Sequence, residues 1–158
     1  MADMEEMRGR LREQIKQKLH SYNGAREECK QIDNQLKALE TEATSPRIQA
    51  MDGMPRGSGG GDAMASIVAE LVQLEEKYKD KLHRLHAAMA EVEDLISSLE
   101  DPIERQVLRC RYIEGLIWEE VCVKLNYSWR QTHRHHGAAL DKLVETEMEK
   151  ESYEDFTD

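Results

Sequence analysis

The chain has 158 residues, of which 39% are apolar and 34% charged, with one Phe, two Trp and a formal net charge of −10. That balance suits long exposed helices better than a single thick core, and it argues against a protein that coats nucleic acid, because non-specific DNA binding is largely phosphate neutralisation. Cys29, Cys110 and Cys122 are odd in number and scattered, which excludes a disulfide framework and points to a reducing compartment.

Residues 1–43 are predicted as one long helix, regular from about residue 4. Apolar side chains fall at Met7, Leu11, Ile15, Leu19, Tyr22, Ala25, Cys29, Ile32, Leu36, Leu39 and Ala43. From Leu19 onward the steps are of three and four residues, the seam of a coiled coil. Gly24 weakens the helix by roughly 1 kcal/mol relative to Ala without stopping it. At 1.5 Å per residue such a rod is ~60 Å long.

Residues 44–61, TSPRIQAMDGMPRGSGGG, break the pattern. Two prolines and a glycine-rich end read as a flexible linker. GSGGGD is not a phosphate-binding loop, since neither a following Lys-Ser/Thr nor a preceding strand accompanies it. Residues 62–100 are predicted as a second long helix capped by Asp62, with Met64, Ile67, Leu71, Leu74, Tyr78, Leu82 (or Lys81 in strict register), Leu85, Ala88, Val92, Leu95 and Leu99 at three-four spacing. Each apolar stripe is too narrow for either helix to stand alone in water. The two must pair, either as a hairpin within one chain or between chains.

Residues 101–145 carry the sharpest local signals. A helix is predicted from Pro102 to Glu114, with Pro102 tolerated at the first helical position. Ile103, Val107, Leu108 and Tyr112 recur along it, and Gly115 ends it in the left-handed conformation that Gly adopts cheaply. A short helix follows from Trp118 to Leu125, with Val121, Cys122 and Leu125 inward. Asn126 tolerates a positive φ, Tyr127 packs inward, and Ser128 with Gln131 three residues on forms a capping box. A third helix then runs from Trp129 to about Glu149, with Thr132, His135 or His136, Ala139, Leu140 and Leu143 on its inner face. Two helices joined by a tight turn, the second one basic at its start, make a helix-turn-helix. Residues 146–158 form an acidic tail that starts as a frayed helix end and becomes disordered. It either solubilises the chain, competes with DNA for the basic helix, or contacts a polymerase.

In a helix-turn-helix the first turns of the second helix enter the major groove. The candidate DNA-binding residues are therefore Ser128, Trp129, Arg130, Gln131, His133, Arg134 and His136. Arg pairs bidentately with guanine and Gln with adenine, while Ser128 and the helix N-terminus suit phosphate. Gly137 would permit close backbone approach. A metal site built from His133, His135 and His136 with Cys110 or Cys122 is disfavoured, because His135 and His136 point about 100° apart and no Cys-x-x-Cys exists. Glu119 and Glu120 likewise point apart, and no nucleophile stands with a base at a usable spacing. The expectation is no enzyme, no metal and no cofactor.

The pattern Leu99-x-x-Pro102, Arg105-x-Val107-Leu108, Arg111-Tyr112, Gly115, Trp118-Glu119-Glu120-Val121, Tyr127-Ser128, Arg130, Arg134 and Ala139-Leu140 resembles region 4 of sigma-70-type factors. It is more closely similar to small phage-encoded relatives of that region, the ArpU and RinA group of late-transcription regulators. Arg134-His135-His136-Gly137 resembles the Arg-Leu-His-Gly phrase of those relatives, and Gly53-Met54-Pro55-Arg56-Gly57 adds a weaker likeness. Three positions depart from the pattern. Ile117 stands where a Ser or Thr cap is usual, a loss of roughly 1 kcal/mol, and Thr132 and His135 replace aliphatic residues.

The expected fold is all-α, a long coiled-coil helical hairpin or arm followed by a three-helix helix-turn-helix domain. The resemblance implies a phage or prophage transcriptional regulator in the cytoplasm of a bacterial host. Its partners would be double-stranded promoter DNA and RNA polymerase, with self-association through the long helices. No membrane is expected, since no apolar run approaches the ~20 residues of a span and the acidic N-terminus is no signal peptide. Two alternatives remain: a small terminase-type DNA-packaging subunit, and a protein-interaction scaffold that has lost DNA binding. A DNA reader keeps Arg130 and Arg134 outward, whereas a scaffold could bury them against acids.

Overall fold

The computed structural model describes residues 2–45 and 60–154, and every regular element among them is helical. Helix α1 spans Ala2–Ala43, α2 Gly60–Ser97, α3 Pro102–Leu108, α4 Trp118–Leu125 and α5 Trp129–Glu154. The all-α class expected from the periodicities is the class observed. Most of the predicted linker, residues 46–59, and the last four residues of the acidic tail lie outside the described residues. The second long helix begins at Gly60, so Asp62 sits in its first turn rather than at its cap. The last helix runs past Glu149 to Glu154, and Met148 packs against the core instead of belonging to a frayed end.

The chain divides into two compact units. One combines residues up to 24 with those from 87 onward, and the other comprises residues 25–86. The first unit holds a continuous apolar core. Leu11, Ile15 and Leu19 of α1, Val92 and Ile96 of α2, and Leu99 just beyond α2 pack with Leu108, Tyr112, Ala139, Leu140, Leu143 and Val144. The core of this unit therefore draws on the ends of both long helices as well as on residues 101–145. Four-residue spacing from Met7 to Leu19 puts these side chains in one row, the ridge that packs into the groove of a neighbouring helix.

Among the described residues of the second unit only Cys29 and Ile67 are buried, whereas Ile32, Leu36, Leu39, Leu71, Leu74, Tyr78, Leu82 and Leu85 are half-buried. Lys81 of α2 is ion-paired with Glu28 of α1, so the two helices meet within one chain. That pair draws the Glu28 carboxyl below its usual range, and burial pushes the Cys29 thiol up.

Candidate nucleic-acid interface

Three local devices place α5. Asp101, before α3, accepts from the backbone N–H of Ile103 at 2.7 Å and of Glu104 at 3.4 Å, capping the helix ahead of Pro102. The Ile103 N–H above all holds the Asp101 carboxyl below its ordinary value. Glu104 is buried and takes both carboxylate oxygens to Lys142 Nζ, at 2.8 and 2.9 Å, fixing α3 against α5. Arg105 Nη1 donates to the carbonyls of Leu99 at 2.6 Å and Glu100 at 3.0 Å, which ties the end of α2 to α3.

The helix expected from Pro102 to Glu114 has an interruption. Residues Arg109–Ile113 form a π-helical turn in which the Glu114 N–H donates to the Arg109 carbonyl at 2.9 Å. The extra residue in the turn leaves both Cys110 and Tyr112 buried. Gly115, at φ 73°, then ends it as expected. Arg111 donates to the Leu116 carbonyl at 2.9 Å and lies 5.0 Å above the Trp118 ring, holding the entry to α4 from both sides. Ile117 has no side-chain acceptor, but Glu120 accepts its backbone N–H at 3.0 Å, so one half of a capping box survives the missing Ser or Thr.

The turn into α5 is built as the sequence indicates. Asn126 has φ 57°, and the Tyr127 N–H donates to the Cys122 carbonyl at 3.1 Å, closing α4. Ser128 Oγ accepts from the Gln131 N–H at 3.2 Å, while Gln131 Oε1 accepts from the Ser128 N–H at 3.0 Å. The full reciprocal box opens α5. Thr132, polar at an aliphatic position, is fully buried, and the Cys122 thiol donates to its hydroxyl at 3.3 Å. The buried hydroxyl is thereby paired across the α4–α5 contact.

The seven candidate residues fall into two groups. Ser128, Trp129, Arg130, Gln131 and Arg134 are exposed together on the first turns of α5, with Trp129 at 52% of its full exposure. Neither Arg130 nor Arg134 is ion-paired among the described residues. Arg8, Arg12, Arg109, Lys124 and Lys142, by contrast, each hold an acid.

His133 and His136 do not share that face. The His133 ring lies between Trp118 at 4.4 Å and Trp129 at 4.5 Å, with its Nε2 buried and unpartnered. His136 shares a hydrogen bond of 2.8 Å with Tyr112 Oη, stacks on that ring at 5.9 Å and meets the edge of Trp118 at 4.8 Å. Burial first, then His133, Arg12, Lys16 and Arg111, push His136 down to about 4, so it is neutral at pH 7. The His136 ring is thus engaged by Tyr112 and Trp118 rather than standing on the exposed face of α5. His20 of α1 adds an edge contact to Tyr112 at 5.1 Å. Of the two histidines expected on the inner face, His136 takes it, and His135 instead packs on Tyr127 at 5.3 Å. Gly137 contacts no neighbour that a Cβ would meet.

Farther along α5, Asp141 and Glu145 are ion-paired with Arg12 and Arg8 of α1. Two acids on the same helix as the free arginines are thereby neutralised by α1. Sequence reasoning missed this, although the switch from four-residue to three-four spacing at Leu19 marks where α1 changes partner. Among the described residues no group of three or more His, Cys, Asp or Glu is placed to hold a metal ion, and no helix is long and apolar enough to cross a membrane.

Residues 44–144 match the family described as protein of unknown function (DUF1492). The chain belongs to this family. The match runs through α2, α3, α4 and the first four turns of α5, so the capped turn and the exposed arginines lie inside what defines DUF1492. No curated protein and no solved structure matches this DUF1492 chain.

Proposed function

We propose that this protein is a phage or prophage transcriptional regulator that reads promoter DNA with the first two turns of α5. One observation carries the reading: Arg130 and Arg134 stand outward and without an acid partner among the described residues, beside exposed Ser128 and Gln131 at a capped helix start. A guanidinium pair with nothing to neutralise it, next to backbone N–H groups and a side-chain amide, suits phosphate oxygens and purine edges in the major groove. Trp129 adds an apolar surface for a thymine methyl or a sugar. The resemblance to the ArpU and RinA group supports the promoter assignment and a contact with RNA polymerase, and self-association through the long helices would give two readers per complex.

Selection of the purified protein on random duplexes tests this. The expected result is one short enriched motif, bound saturably and weakening steeply as salt rises. Enrichment of nothing beyond the starting pool would remove DNA reading and leave the interaction scaffold.

A further inference from the structure

The second unit carries an apolar surface that its own helices leave uncovered. On α2, Met64, Val68 and Val72 are 40%, 51% and 51% exposed and recur every fourth residue, so they form one stripe beside the half-buried seam. Continued along the helix at the same azimuth, the stripe passes through exposed Glu75 and Lys79, half-buried Leu82 and exposed His86. The charge on α2 is also polarised. Residues 60–76 contain four acids and no Lys or Arg, and residues 77–86 contain four bases and one acid.

We propose that this face of α2 is a self-association surface, occupied by α2 of a second copy of this chain running antiparallel. This deepens the self-association part of the functional reading and does not depend on its DNA part. Charge decides the occupant and its direction. A parallel copy would set acid half against acid half and base half against base half, whereas an antiparallel copy sets each acid half against a basic one. A two-fold axis near residue 77 makes the stripe self-complementary. Glu75 then meets Lys79 of the second copy and Lys79 meets its Glu75, while Val72 faces its Leu82 and Val68 faces its His86. Such an isologous contact closes on itself and stops at two copies. It would also cover apolar surface that the thin second unit cannot bury alone.

Sedimentation of the full chain without DNA, at micromolar concentration, tests the proposal through exposed positions whose replacement leaves the fold intact. The wild type is expected as a dimer. Glu75→Lys and Lys79→Glu, which set like charges across the axis twice per dimer, should each weaken dimerisation at least tenfold. An equimolar mixture of the two variants should dimerise again, because every pair in the mixed dimer is then opposite in sign, and the Glu75→Lys/Lys79→Glu double variant should recover alone. Circular dichroism should show unchanged helicity throughout. A dimer indifferent to both single substitutions would overturn this surface while leaving self-association standing. A monomeric wild type would overturn both, and neither result would bear on DNA selection.

Discussion

The two compact units are made from the same two long helices, yet they use them differently. In the first unit, α1 and α2 pack against α3, the π turn and α5 and bury Ile15, Leu19, Val92 and Ile96 to 2% exposure or less. Among the described residues of the second they meet each other, and just Cys29 and Ile67 are buried. Amphipathic stripes of similar width thus give a dense core where extra helices close over them and a half-wet seam where none does. Helix propensity is shared along the rods, while stability is concentrated where the partners are. The rigid unit is the one that presents Arg130 and Arg134, as a site needing fixed geometry requires.

That contrast can be broken by substitution. Ile15→Ala should cost about 2–4 kcal/mol, because it opens a cavity in the helix-turn-helix core, whereas Leu36→Ala, half-buried in the second unit, should cost under about 1.5 kcal/mol. Urea unfolding of both variants measures the ratio, and equal losses would dissolve the distinction. Acid should sharpen it. The unfolded state protonates His136 near 6.5, but the folded state resists until about 4, so its contribution is complete above pH 6.5 and is lost as pH falls toward 4. The loss should amount to roughly 3 kcal/mol and should vanish in His136→Phe, as pH-dependent unfolding would show. Near-ultraviolet signals from Trp118, whose ring meets His136, and from Trp129 should report this loss. Ser128→Ala removes one arm of the α5 capping box and should cost about 1 kcal/mol, read as a lowered urea midpoint. Gly137→Ala, in a helix and meeting nothing, should raise stability by about 0.5–1 kcal/mol. It should leave DNA affinity unchanged unless the groove wall approaches that point, which a binding titration of the same variant decides.

Much of the first unit is legible from local chemistry. The Gly115 stop, the left-handed Asn126 and the Ser128–Gln131 box each depend on residues within a few positions of one another, and all three are present. What sequence hides is non-local. A stripe at helical spacing records that a face is buried, not by what, so the periodicity of α1 and α2 does not reveal that residues 11–19 and 92–99 share one core with residues 108–144. The shift to uniform four-residue steps before Leu19 was the available clue. The histidines were illegible for a related reason. His133 and His136 are three apart and so share a face, but whether that face meets a groove or a wall depends on Trp118 and Tyr112, which arrive from other helices. The π turn at Arg109–Ile113, in which Cys110 and Tyr112 are both buried, has no signature in residue type.

The most direct test of the central claim is the affinity of Arg130→Ala and Arg134→Ala for a duplex selected by the wild-type protein. Each substitution should weaken binding by ~1–3 kcal/mol while the urea midpoint stays at the wild-type value, since both side chains are exposed and hold no partner among the described residues. A contact to a base edge should also relax specificity at one position of the site, and a contact to phosphate should lower the salt slope by about one. Wild-type affinity in both variants would place the arginines outside any interface and contradict the account.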